Sequence, residues 1–413
     1  NFKFLIPITI IFIPAFLALF YGLVAYFFII LKPKKIISSF LFFSLIFGVL
    51  EFVRGSILTG FPWNLIAYSF SDQLEILSIT SIIGTYGFNL FCISLFTSPA
   101  VLILKDKKKD LGVPIFFLIL TMLFYLNGSF YKDKFNKAEK KFYDYKVRVL
   151  GSNISLDRFY YNTDPVSVIG DLINISSPNI NKKIIFVWPE GILPDISQKE
   201  LAEFKWLFNE NFNENHLFIM GINKLSIKNN YKDYFNTFSV YDNELNLLNS
   251  YNKIKLVPFG EFLPFQTYLE KIGLKKITEG FGSFSKGSTE NTFVYENLEV
   301  IPLICYEIIF PELIQKINFN STLLINISED AWFGDSIGPH QHFSKSIFRA
   351  IESDSFVLRS ANKGISAIIN NKGQIIKSLK NNETGNIEYR LPITEKKGGN
   401  KNDLIFFVLL FTY

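Results

Sequence analysis

Cysteine is scarce in this chain: Cys92 sits inside an apolar run and Cys305 lies far downstream, so the 413 residues encode no disulfide framework and leave the redox compartment open. His340 and His342 form an HxH pair with no carboxylate or cysteine motif beside it, which argues against a metal site. Long basic stripes are missing as well. The net charge of +5 is small for this length and the lysines fall in short clusters beside apolar runs, which excludes the electrostatic footprint of a nucleic-acid binder. No internal repeat is visible. What the chain does have is 49% hydrophobic residues, 46 phenylalanines and a positive mean hydropathy, the composition of a protein with membrane segments. The excess of Phe, Ile, Asn and Lys is compositional bias and carries no function.

Phe4–Leu31 is a long uncharged run, enough to cross a hydrocarbon core that needs about 20 helical residues. It is too long for a signal peptide, lacks the small-residue cleavage pattern, and reads as a retained span. Ile36–Val53 is a second span, closing on Glu51 and Arg54, which are near enough on a helix to pair. Such a pair either marks function inside the membrane or holds the loop that follows. That loop, Gly55–Ser71, carries TGFPW, with Gly60 and Pro62 as helix breakers and Trp63 suited to an interface. Ile76–Leu104 and Val113–Leu126 supply two more spans. The basic loops Lys32–Lys35 and Lys105–Lys109 should both stay cytoplasmic, which puts everything after Phe130 on the outer side. Residues 1–130 are thus expected to form a transmembrane domain, 131–144 a linker, 145–397 a soluble extracytoplasmic domain, and 398–413 the start of a further span. A chain that begins at Asn1 and stops within an apolar run is expected to be a piece of a longer protein, lacking segments at both ends.

The soluble part alternates short β-rich runs with helical stretches. Strands are predicted at Val147–Leu150, Ile184–Val187, Leu217–Gly221, Thr237–Tyr241, Val300–Ile304, Leu323–Ile327, Phe356–Arg359 and Ser366–Ile369. Helices are predicted at Pro165–Ile175, Gln198–Phe208, Glu312–Ile317 and His342–Ser353, and a hairpin at Asn371–Gly373 with Gln374–Leu379. This order gives an α/β sandwich.

Three stretches carry chemistry. In IPLICYEIIF, Cys305 stands where a buried strand runs out; alone it fits a small packed thiol better than a nucleophile. In VWPEG, Glu190 follows Ile184–Val187, where Trp188 and Pro189 can limit its hydration and favour a raised pKa. In YNKIKLVPFGEFLP, Lys253 and Glu261 are set among prolines and aromatics, which is unusual for an ordinary loop. A thiol, a carboxylate and an ammonium in one domain can form a thiolate and neutralise an oxyanion.

The motifs WPE, YxKxxLVPFGE and ICYE resemble the Glu-Lys-Cys triad of the nitrilase superfamily. With EFVRGSILTGFPW, SFSKG, DAWFGDSIGPHQH and RSANKGIS in order along the chain, the sequence resembles, more narrowly, the bacterial apolipoprotein N-acyltransferases. That resemblance implies a multispan α-helical membrane domain joined to an extracytoplasmic nitrilase-like αββα sandwich. It makes Glu190 the general base, Cys305 the nucleophile and Lys253 the oxyanion stabiliser, helped by the backbone N–H after the cysteine. Glu261, Tyr306 and Glu307 match supporting positions; for Glu307 a structural carboxylate behind the nucleophile is an equal reading. Tyr160, in a lid, and Trp332, at the acyl or headgroup site, are implied substrate contacts, although Trp332 also suits a core.

The implied reaction is ping-pong, with no metal or cofactor. A phospholipid, expected to be phosphatidylethanolamine through its sn-1 chain, acylates Cys305, and the α-amine of a diacylglyceryl-cysteine apolipoprotein takes the acyl group. The implied setting is a bacterial inner membrane, with the catalytic domain on the periplasmic side. The sequence departs from the family at Tyr160 and His340, where tryptophan is common, and at Glu329, where asparagine is. Two other readings remain open here: a membrane-anchored nitrilase-type amidase that passes the acyl group to water, and a catalytically silent lipid-binding scaffold.

Overall fold

An uncharged run placed in lipid can satisfy its backbone only within itself, so the N-terminal third is helical. The computed structural model describes residues 6–412 apart from 32, 106, 162, 229–230, 266–267, 269–282, 289–292, 296–297, 316–322 and 394–401. Its four main membrane helices are α1 (Ile6–Leu31), α2 (Ile36–Ser56), α3 (Thr80–Thr97) and α4 (Gly112–Lys137). Each of the four is long and apolar enough to cross a membrane.

The single span expected over Ile76–Leu104 is instead three pieces: a one-turn helix at Leu74–Leu77, then α3, then Ala100–Leu104. Gly84, at φ +71°, interrupts the helical backbone, and Pro99 caps the last piece. Helix α4 outlasts its apolar core because Lys134 and Lys137 in its last turn suit a helix C-terminus. Strand β1 (Lys141–Ser152) follows at once, so the linker expected over 131–144 shrinks to residues 138–140.

The loop after α2 is two short 3₁₀ turns, Pro62–Asn64 and Ile66–Phe70, anchored from inside the membrane. The Ala67 N–H donates to Asn89 Oδ1 (3.0 Å), and Asn89 Nδ2 donates to Glu51 Oε2 (2.5 Å). Glu51 Oε1 in turn accepts from Arg54 Nη2 (3.2 Å). The Glu51–Arg54 pair therefore holds the loop, the plainer of its two expected roles.

The soluble part continues with α5 (Pro165–Ser176), β2 (Ile184–Val187), β3 (Leu193–Ser197), α6 (Lys205–Asn211), β4 (His216–Lys228), β5 (Tyr231–Asp242) and β6 (Leu247–Asn252). After these come β7 (Phe293–Tyr295), β8 (Leu298–Ile304), β9 (Leu323–Glu329), α7 (Gly338–Glu352), β10 (Phe356–Asn362), β11 (Ala367–Ile369), β12 (Ile375–Ser378) and β13 (Gly385–Ile393). Helix α8 (Asn402–Thr412) closes the described chain and packs on α3. The stretch predicted as a helix at Gln198–Phe208 is a 3₁₀ segment running into α6, and the helix predicted at His342 begins a turn earlier, at Gly338. Of the stretch Glu312–Ile317, Glu312–Gln315 is helical and the remainder lies outside the described residues.

Hydrogen bonding joins the strands into two layers. One runs β6-β5-β4-β2-β1-β13, with β3 also paired to β4, and the other β7-β8-β9-β10-β11-β12. Among the described residues the layers are joined by strand pairing where β1 reaches β10, at Gly151↔Ala361 and Ser152↔Asn362. Alternation along each strand sorts the core into three seams. Ile185, Val187, Leu217, Ile219, Ile325 and Ile327 fill the space between the sheets. Ile184, Phe186, Trp188, Phe218 and Met220 face α5 and α6. The outer face of the second sheet packs Leu303, Leu324 and Val357 against Phe348 and Ile351 of α7, and the same seam runs on into Leu65, Phe88 and Phe91 of the membrane half. The result is the αββα sandwich expected from the sequence, with one helical layer shared with the membrane domain.

Candidate active site

Lys253 and Cys305 follow directly on β6 and β8, Glu190 stands three residues after the end of β2, and all three line one cavity of about 420 Å³. Its walls carry several aromatic rings: Phe61 and Trp63 come from the membrane loop, and Phe159, Phe284, Trp332 and Phe333 from the sandwich. Glu190 is brought close to β4 because Gly221 has no side chain; a Cβ there would lie 2.6 Å from the Glu190 Cα. Cys305 opens a 3₁₀ turn with φ at +50°, a left-handed conformation that costs a non-glycine residue about 1–2 kcal/mol and persists only where its surroundings hold it.

The charged groups form one network. Lys253 Nζ donates to Glu261 Oε1 at 2.9 Å and to Glu190 Oε1 at 3.3 Å. Asn236 Nδ2 donates to the same two oxygens, at 2.8 and 2.7 Å. The second oxygens are also fixed: Glu261 Oε2 accepts from Val257 N (2.8 Å) and Glu190 Oε2 from Glu329 N (2.9 Å). Burial alone would lower the pKa of Lys253, but Glu190 and Glu261 outweigh it and hold the ammonium above the ordinary lysine value. Burial pushes the Cys305 thiol up, the Glu190 charge adds to this, and Lys253 only partly offsets the two. The resting thiol is thus protonated. The ammonium does not by itself make the thiolate, so a base must take the proton.

The other expected residues fall into distinct places. Glu307 is fully buried, and its oxygens accept from Tyr251 Oη (2.8 Å), Ile254 N (2.7 Å), Lys255 N (3.0 Å) and Ile304 N (2.8 Å). It fastens the segment after Lys253 to the strand end that carries Cys305. Tyr306 lines the cavity and donates from Oη to the Gly60 carbonyl (3.1 Å) in the membrane loop. Trp332 lies on the wall against Phe159, with ring centroids 5.1 Å apart. Tyr160, however, is not among the lining residues; its turn is anchored through Arg158, which leaves Phe159 on the wall and Tyr160 exposed. His340 stands clear of the cavity, whereas His342 lines it.

Sequence reasoning missed Asn236, although an asparagine inside a β-rich run is an uncommon choice that could have flagged it. It also missed the setting of Glu329. This carboxylate is buried against Arg158 and accepts from Asn362 Nδ2 at 2.9 and 3.0 Å. Burial raises its pKa from 4.5 to about 7 even though Arg158 works against the rise. A carboxyl raised on folding contributes stability that is fully present below about 4.5 and is lost as pH climbs through about 7. Thermal unfolding in detergent across that window should therefore show the parent losing stability relative to Glu329→Gln as pH rises. Parallel melting curves at every pH would remove Glu329 as the cause.

A sequence model described as carbon-nitrogen hydrolase matches residues 182–394, and one described as the apolipoprotein N-acyltransferase N-terminal domain matches residues 2–96. The chain is 29% identical over 400 residues to an apolipoprotein N-acyltransferase of Brucella melitensis, covering 95% of this chain and 74% of that one. It is 30% identical over 408 residues to that of Rhodopseudomonas palustris, covering 95% and 75%. With the enzyme of Rickettsia prowazekii it shares 33% identity over 367 residues, covering 85% and 70%. A membrane half of one kind fused to a hydrolase half of the other, matched along nearly the whole length, means that the chain belongs to the apolipoprotein N-acyltransferase family.

Proposed function

We propose that this protein N-acylates the diacylglyceryl-cysteine amine of apolipoproteins, drawing the acyl group from a phospholipid, with phosphatidylethanolamine as the first donor to test. The observation that carries this reading is the junction of Glu190, Lys253, Glu261 and Asn236 in one buried network within an aromatic-walled cavity that also holds Cys305. Glu190 takes the thiol proton and the thiolate attacks the ester carbonyl. The oxyanion forms beside the Lys253 ammonium and the N–H after Cys305. The ester C–O bond then breaks, the Glu190 proton goes to the departing oxygen, and a thioester and a lysophospholipid remain. In the second half the acceptor amine attacks the thioester, Glu190 receives its proton, the C–S bond breaks, and the thiol is restored.

Phe265 and Tyr268 are both more than 70% exposed in the segment after Glu261, which supports a mouth that meets lipid. The basic groups at Lys34–Lys35 and Lys107–Lys109 support an orientation with this mouth on the periplasmic side of the inner membrane. A thioester kept among aromatic side chains is shielded from water, which favours the amine over hydrolysis.

Purified protein given phosphatidylethanolamine should gain one acyl mass on the peptide carrying Cys305, sensitive to hydroxylamine and discharged by a diacylated lipopeptide. No adduct on Cys305, or discharge as fast in water alone, would sink the transferase reading; the second result would favour an amidase.

A further inference from the structure

Against the backbone of the nucleophile lies a second buried polar group that the reaction above does not use. His342 of α7 is fully buried, with Nε2 3.2 Å from the Cys305 carbonyl and Nδ1 3.0 Å from both Asp330 Oδ1 and Arg359 Nη2. A carbonyl only accepts, so Nε2 carries the hydrogen, and Nδ1 is free to accept from the guanidinium. Arg359 Nη2 is itself pinned to Asp330 Oδ2 at 2.7 Å. Burial, then the Arg359 charge, keep the imidazole pKa below its ordinary value, in accord with this neutral tautomer. The same carbonyl receives a longer contact from Asn326 Nδ2, at 3.4 Å.

We propose that His342 is a positioning residue for Cys305: its Nε2–H holds the cysteine carbonyl in the left-handed turn that aims the thiol and the following N–H at the acyl carbon. Cys305 is not glycine, and a left-handed cysteine needs external restraint, which the His342 bond and the Asn326 contact supply from strand and helix together. The restraint reaches the membrane half as well. The Trp63 ring stacks on His342 with centroids 5.6 Å apart and an interplanar angle of 24°, and Trp63 Nε1 donates to Gln341 Oε1 at 2.8 Å. The loop after α2 therefore touches the residue that holds the nucleophile's backbone.

The inference rests on Cys305 as the acyl-carrying nucleophile, and its test needs no phospholipid. The full chain in detergent is mixed with p-nitrophenyl butyrate: the thiolate takes the butyryl group, nitrophenolate leaves, and the burst reports acylation directly. His342→Phe keeps a ring against Trp63 but has no donor, and should slow the burst by about 100-fold. His342→Gln returns an N–H at similar reach, and should stay within about tenfold of the parent. Alkylation of Cys305 by iodoacetamide, which needs no oxyanion site, should change by less than about threefold in both and confirms a folded, reachable thiol.

Asp330→Asn retains the ring but weakens the anchor of the Arg359 guanidinium that donates to Nδ1, and should slow the burst by about tenfold. A His342→Phe burst within about threefold of the parent, or a His342→Gln variant no faster than His342→Phe, overturns the positioning role. If the parent ignores phosphatidylethanolamine yet bursts with the butyrate ester in this order of variants, the lipid-donor reading fails and the role of His342 stands.

Discussion

Changing Lys253 to methionine should slow acylation of Cys305 by roughly 10³-fold, the scale seen when a preorganised oxyanion donor is removed. Methionine fills much of the volume of the lysine stem, so the change chiefly deletes the ammonium. That ammonium is 1% exposed and is shared between Glu190 and Glu261. Without it, two carboxylates compete for one Asn236 amide in a dry site, and one of them must take up a proton. Breaking such a buried pair costs about 3–5 kcal/mol, so the melting temperature should fall along with the rate. Arginine should not rescue the variant, because a planar fork cannot enter a space shaped for a compact ammonium. Quenched single-turnover mass spectrometry would measure the rate; a methionine variant acylating within tenfold of the parent would dismiss Lys253 from the chemistry.

Glu190→Gln should have the second large effect, a loss of about 10²–10⁴ in the acylation rate together with a changed pH profile. The glutamine is nearly isosteric and can still meet Asn236 and Lys253, but it cannot take the thiol proton. Burial, and then the Glu190 charge, raise the thiol pKa, so the substitution removes the second of these causes and the thiol should ionise at lower pH than in the parent. The residual activity of the variant should therefore climb with pH as solvent replaces the missing base, while iodoacetamide alkylation becomes easier. A variant that is slow at every pH with an unchanged alkylation profile would place the base elsewhere.

Much of this was legible in the sequence, and the exceptions have physical causes. The membrane helices were legible because uncharged runs have only one way to satisfy their backbone in lipid. The break within Ile76–Leu104 was not, because the apolar composition continues through Gly84 and Pro99 while the backbone does not. Strands β2, β8 and β9 were found because they carry apolar runs, unbroken in Ile184–Val187 and Val300–Ile304 and interrupted by Asn326 in Leu323–Ile327, whose residues are buried. Strands β6 and β13 were overlooked because they lie at a sheet edge and mix polar with apolar residues, half of β6 being exposed and much of β13 only half-buried, which blurs the apolar pattern. Glu190, Lys253 and Cys305 could be picked out because each stands beside prolines or aromatics at a strand end. Asp330 and His342 open and close the motif DAWFGDSIGPHQH, but nothing in it tells that they meet Arg359 and the Cys305 carbonyl, and Asn236 and Arg158 lie far off in the chain; these residues gain meaning only when the strands and α7 bring them to the site.

The core seam that runs from Leu303, Leu324 and Val357 through α7 into Leu65, Phe88 and Phe91 bears on how this enzyme can be handled. Glu352 of α7 accepts from both the N–H and the hydroxyl of Thr85 at 2.9 Å, so a polar clasp joins the halves as well. Cutting the chain between α4 and β1 would strip an apolar sheet-and-helix face of its cover and leave the Arg349–Glu352 pair without Thr85. A water-soluble version made by trimming away the helices would then aggregate through Phe310, Phe343 and Ile347 unless these were recoded to polar residues. Biochemical work on the isolated hydrolase half thus calls for surface redesign, whereas the intact chain in a lipid nanodisc keeps its own cover.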